Sequence, residues 1–200
     1  MRKYPPTLHA LAVTVLLVTA AATPSFAGIR SGDLGRADFA PYRTPTARYV
    51  DGSCLIDLSH IPDYTERRKV GGCGTHVTLS KAFVKLSVPH TWLTWSCPPR
   101  VEKCKPDVLY SDRDTSATID FGTIVTTGGF ECEPAFGELT VTVQFYSGPY
   151  GSGALVGTIS RTIDHYADAR LFAAKAKTGF QSAVVTTDPD GDFGIARIRL

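Results

Sequence analysis

Trp92 and Trp95, with His90 and Tyr110 close by in sequence, form the group of residues best suited to recognition chemistry. Sugar rings dock on exposed indole or phenol faces through their apolar CH patches, and two indoles three residues apart in a Pro-flanked loop could line one platform. The competing reading is structural: tryptophan is usually largely buried, and an extended i, i+3 pair points to opposite sides, so the indoles would plug one end of the fold. Glu131 and Glu133 alternate on one side of a strand-like run, with Asp120 on an earlier one, a pattern open to paired-carboxylate glycoside hydrolysis. That chemistry needs one carboxyl raised by burial, whereas a solvated pair is the ordinary expectation. Asp188, Asp190 and Asp192 with Gly191 look like the start of a calcium loop. Phe193 stands where such a loop needs Gly, however, and Arg199 where it needs Glu, so an Asp-capped hairpin turn is the better reading. No Gly-x-Ser-x-Gly elbow occurs, and His60, His76, His90 and His165 have no motif partners.

The cysteines and the N-terminus speak about compartment. Arg2 and Lys3 precede an acid-free apolar run over 8–22, and Ser25 and Ala27 supply small residues at the −3 and −1 positions of a cleavage site. Residues 1–27 therefore read as a signal peptide, too short in its apolar run for a spanning helix, and the mature protein is expected outside the cell with no membrane insertion after cleavage. Export makes disulfides the default for Cys54, Cys73, Cys97, Cys104 and Cys132. Cys97 and Cys104 flank a short loop, and Cys54 and Cys73 end two candidate strands, so the preferred pairing is 54–73 and 97–104 with Cys132 a free thiol. Cys132 shares a side with Phe130 and is expected to be buried. No CxxC pair exists and no histidine falls at ligand spacing, which argues against a metal site. No motif asks for a cofactor.

Removing 1–27 takes away two of the 21 basic groups and none of the 19 acidic ones, leaving a formally neutral chain. Such a chain lacks the cationic surface that drives nucleic-acid binding, and it carries no polybasic helix for an anionic membrane.

The elements that position these groups read as β. Residues 28–47 show no sustained apolar period and are expected as a flexible leader, with the domain over 48–200. From there the chain is a succession of short β-branched and aromatic runs closed by Gly, Pro, Asp or Ser. Strands are predicted near 53–57, 75–80, 82–88, 107–110, 116–121, 129–133, 139–146, 154–161, 169–174, 181–186 and 193–200, with almost no helix. Leu139, Val141, Val143 and Phe145 against Thr140, Thr142 and Gln144 give the clearest alternation. Eleven short strands are too many for one flat sheet, so two packed sheets, a jelly-roll-like antiparallel β-sandwich, are expected, ahead of a closed barrel. Arg67-Arg68-Lys69, beside Glu66, reads as a solvated loop.

Three C-terminal stretches, Ala169-Arg170-Leu171-Phe172-Ala173-Ala174, Thr178-Gly179-Phe180-Gln181-Ser182-Ala183-Val184-Val185 and Asp192-Phe193-Gly194-Ile195-Ala196-Arg197-Ile198, resemble the last strands of a group of exported bacterial jelly-roll domains. Thr91-Trp92-Leu93-Thr94-Trp95-Ser96-Cys97-Pro98-Pro99, Val108-Leu109-Tyr110 and Gly129-Phe130-Glu131-Cys132-Glu133-Pro134 are similar to further segments of that group. Cys97 and Cys132 depart from its pattern. The resemblance implies a secreted β-sandwich similar in architecture to carbohydrate-binding modules, with no catalytic signature. The expected function is non-catalytic binding of a polysaccharide, a cell-surface glycan or another cell-surface component through the aromatic loop of Trp92 and Trp95, with His90 and Tyr110 as further ligand-binding candidates. A small glycosidase-like hydrolase using the paired carboxylates, or a purely structural extracellular domain, are the alternatives.

Overall fold

Among the described residues, alternation builds nine strands joined in one continuous antiparallel sheet, which the bends of its longest strands divide into two layers. The computed structural model describes residues 38–200; the expected signal peptide and the leader up to residue 37 lie outside the described residues. The strands are β1 (Phe39–Tyr42), β2 (Glu66–Gly72), β3 (Thr75–Ser87), β4 (Asp107–Tyr110), β5 (Ser116–Pro134), β6 (Glu138–Tyr146), β7 (Leu155–Asp164), β8 (Arg170–Asp188) and β9 (Phe193–Arg199), with one short helix, α1 (Ala47–Asp51). The fold is all-β, and every strand pairing is antiparallel. Among the described residues no helix is long and apolar enough to cross a membrane.

Three strands are much longer than sequence suggests, because β3, β5 and β8 each join two predicted strands through a bend. The first half of β5 pairs with the last part of β8 (Ser116↔Thr186) and touches β3 (Thr78↔Asp120), while its second half pairs with the start of β8 (Phe130↔Phe172) and with β9 (Cys132↔Ile195). Register slips between Asp120 and Thr127 mark where β5 turns. Gly122 and Gly179 sit at this corner with φ of 71° and 73°, and a Cβ at Gly122 would run into the His76 carbonyl. One layer therefore runs β7, β6, β8, β5, β3, β2 and the other β1, β8, β5, β9, β4, β3, β2, sharing the bent strands.

Inward-facing side chains of both layers form the core. Leu139, Val141, Val143 and Phe145 of β6 are buried while Thr140, Thr142 and Gln144 are not. Phe145 meets Phe180 edge to face at 4.8 Å and packs at a tilt on Phe39 of β1 at 5.6 Å, tying the layers together. Cys132 is free and fully buried in this core, on the Phe130 side. Disulfides join Cys54 to Cys73 and Cys97 to Cys104.

Some elements differ from the sequence reading. Arg67, Arg68 and Lys69 lie in β2, not in a loop; among the described residues β2 pairs only with β3, so it is an edge strand whose charges face water while Val70 enters the core. Residues 53–57 make only an isolated bridge, Leu55 to Arg199. In the stretch 38–47, β1 pairs with β8, and Thr46 caps α1 by accepting from the Tyr49 amide. Tyr49 is fully buried against Leu171 and Ala173, on the outer side of the second layer.

Candidate ligand-binding site

The outer face of the second layer is where the chemistry-bearing residues gather. Strand alternation sends Phe130 and Cys132 inward, so Glu131 and Glu133 point outward, toward the long connection 88–106 that crosses over them. That connection is anchored at its start by an ion cluster. Lys85 Nζ lies 2.7 Å from both Asp63 and Asp107, and Asp63 also accepts from the hydroxyls of Ser87 (2.5 Å) and Thr91 (2.9 Å). Burial works against the Lys85 charge, but the bonds to Asp107 and Asp63 hold its pKa above the usual lysine value.

Both tryptophans of the connection are buried, not displayed. Trp92 and Trp95 are 9% and 4% exposed and pack with Val88, Val101, Val108 and Ala196 into a second apolar cluster. The indole N–H of Trp92 donates to Glu133 at 2.8 Å, and that of Trp95 to Glu131 at 3.0 Å. The remaining carboxylate oxygens accept from the backbone amides of Asp168 (3.3 Å) and Glu102 (2.6 Å). Burial pushes the Glu131 carboxyl up to about 7 and that of Glu133 to about 8, the indole and amide donors offsetting part of the effect. Neither glutamate is solvated, as sequence suggested. Both are fully buried and occupied by protein donors, which closes them to a substrate. Asp120 is not part of this group: it accepts from the amides of Gly122 and Tyr150 at the other end of β5.

An apolar pocket of about 240 Å³ opens beside this cluster, with Trp92, Tyr110 and Leu86 among its walls. Three different loops ring it with large exposed apolar side chains: Leu93 of the 88–106 connection (86% exposed), Phe136 of the β5–β6 turn (74%) and Tyr166 of the β7–β8 turn (69%). The loops are laced together, Thr94 donating to the His165 carbonyl and Ser96 to that of Ala167, both at 2.8 Å. Tyr110 donates its hydroxyl to Asp192, and burial followed by this bond raises its pKa. Asp192 of the candidate calcium loop is thereby used to hold Tyr110 against Trp92, ring centroids 5.5 Å apart. His90 is exposed and does not line the pocket. Phe136 and Tyr166 carry no sequence motif because each is a lone aromatic in a turn; Pro134, which ends β5, is the local signal that the chain leaves the sheet before Phe136.

No family model and no curated protein matches the chain. Among solved structures, the enzymatically active domain of tailspike protein 4 of bacteriophage CBA120 is similar in part. The alignment covers 78% of this chain and 21% of that one, with 13% identity and a TM-score of 0.29.

Proposed function

We propose that the protein is an exported, non-catalytic, jelly-roll-like β-sandwich that binds carbohydrate or another cell-surface component in the pocket ringed by Leu93, Phe136 and Tyr166. The observation that carries this reading is the convergence of three exposed apolar side chains, from three loops, on one apolar concavity. Exposed apolar groups scattered singly need no explanation; gathered around a pocket they mark a binding site. The pocket's size suits one sugar ring or one side chain, with Trp92 and Tyr110 as wall aromatics in place of the two-indole platform. Two disulfides suit an extracellular setting. The buried, fully bonded Glu131 and Glu133 favour binding over hydrolysis.

Pull-down of the protein on a panel of insoluble glycans tests the proposal. Retention on at least one glycan, lost in Phe136→Ser and Tyr166→Ser, is the expected result; uniform failure of the wild-type protein across the panel would remove the carbohydrate reading.

A further inference from the structure

A larger concavity, about 690 Å³, lies between the segment leading into α1 and the loop closed by the Cys97–Cys104 bridge. Its charged lining is Lys103, Arg197 and Arg199 against Glu102 alone. Glu102 is already neutralised by a bidentate partner: Arg199 Nε reaches Oε1 at 2.7 Å and Nη2 reaches Oε2 at 2.8 Å. The third nitrogen of Arg199 is spent on the carbonyls of Val50 (3.1 Å) and Ser53 (3.0 Å). Arg197 adds Nε and Nη2 contacts to Glu102 at 3.2 and 2.7 Å, but its Nη1 and the Lys103 ammonium have no protein acceptor among the described residues.

Arg197 reaches this groove only through a distortion. Gly129 pairs with Arg199 but Glu131 pairs with Ala196, so β9 carries one extra residue, a bulge. Arg197 takes up that residue at φ 51°, in the left-handed region that favours glycine. Strict alternation would send residue 197 to the core side with Ile195. The bulge instead leaves Ile195 and Ile198 in the core and brings Arg197 to the side of Arg199. Arg197 thus adds a second guanidinium to a carboxylate that Arg199 already clamps bidentately, and leaves one nitrogen of its own facing the groove.

We infer that this groove is a second binding site, for the carboxylate or phosphate groups of an extracellular polyanion, with the Arg197 fork and the Lys103 point charge as its anion-binding groups. Glu102 holds the guanidinium of Arg197 in place, so little side-chain freedom is lost on binding. The site is separate from the apolar pocket.

Calorimetric titration of the exported protein with three probes tests this: an oligogalacturonate, a poly(glycerol phosphate) and a neutral galactan of similar length. Saturable binding of one or both anionic probes is expected, weakened about tenfold or more by raising salt from 50 to 500 mM, with none of the galactan. Which anionic probe binds identifies the source of the anion. Arg197→Gly, which removes the guanidinium and suits the backbone, should weaken binding about tenfold or more while the protein still folds, since Arg199 keeps its clamp on Glu102; exposed Lys103→Gln should weaken it several-fold. Phe136→Ser should leave it intact, which separates failure here from failure of the apolar pocket. No binding of either anionic probe by the wild-type protein, or binding at the wild-type level by both Arg197→Gly and Lys103→Gln, would overturn the inference. If Arg197→Gly does not fold, Lys103→Gln alone decides.

Discussion

Trp92 hands its indole hydrogen to Glu133 across 2.8 Å inside the protein, joining residues 41 apart in sequence. Neither group could be buried alone without a penalty of about 1–3 kcal/mol for an unmet donor or acceptor. Glu133→Leu should therefore destabilise by about 1–3 kcal/mol for each buried donor it orphans, the indole N–H and the Asp168 amide. Glu133→Gln keeps one acceptor oxygen for the indole but turns its NH2 toward the Asp168 amide, so it should cost clearly less than Glu133→Leu. Urea denaturation at pH 7 reads the difference; a Gln variant as weak as the Leu variant would show that the hydrogen bond is not what holds Trp92.

The same pair sets a pH dependence. Glu131 and Glu133 hold their protons up to about 7 and about 8 in the folded protein, well above an unfolded glutamate, so their contribution is complete below about pH 4.5 and is lost as pH rises toward 8. Glu131 faces Glu102 and Arg197, and Glu133 faces Asp168, so ionising either places a new negative charge beside an existing carboxylate. Asp57, Asp63 and Glu102 act oppositely, their lowered pKa values giving stability that disappears below about pH 4. Unfolding midpoints should accordingly peak near pH 5 and fall toward pH 8. The double variant Glu131→Gln, Glu133→Gln should flatten the alkaline limb, and a limb unchanged in that variant would assign it to other groups.

Each disulfide removes chain entropy from the unfolded state. The Cys54–Cys73 bridge spans a separation of 19 residues and Cys97–Cys104 one of 7, which by loop length corresponds to about 3 and about 2.5 kcal/mol. Cys54→Ser with Cys73→Ser should lower the unfolding free energy slightly more than Cys97→Ser with Cys104→Ser. The second pair should show the larger loss of protease resistance within 97–106, because that bridge closes a loop whose prolines and charges are otherwise exposed. Equal cleavage of that loop in both variants would count against it.

Local pattern revealed the strands whose partners impose nothing unusual. β6 is plain in the alternation of Leu139, Val141, Val143 and Phe145, because one face is core and the other water. The bends joining two predicted strands into β5 and β8 were hidden, since the corner at Gly122 and Gly179 is imposed by packing between layers and reads locally as a turn. β2 was masked by its charges, which an edge strand tolerates. Sequence placed Glu131 and Glu133 on one side and Cys132 on the other, but not the burial of the glutamates, because their indole donors come from 36 and 41 residues away. Trp92 and Trp95 read in sequence as a candidate platform; tertiary contacts bury both in a second apolar cluster instead.

Leu93, Phe136 and Tyr166 should behave unlike every other large apolar residue at this end of the molecule. Their exposure means that replacing each with Ser should change folding stability by no more than about 0.5 kcal/mol, whereas Trp92→Ala, which empties a packed site, should cost about 3–5 kcal/mol. A ligand seated among them would also lie against Trp92, so binding should alter the indole emission, and the change should vanish in Trp92→Phe, which retains an aromatic wall. Fluorescence titration of a retained glycan's soluble fragments, run beside thermal melts of the three Ser variants, checks both statements. Ser variants that melt like wild type and still bind would move the site elsewhere on the surface.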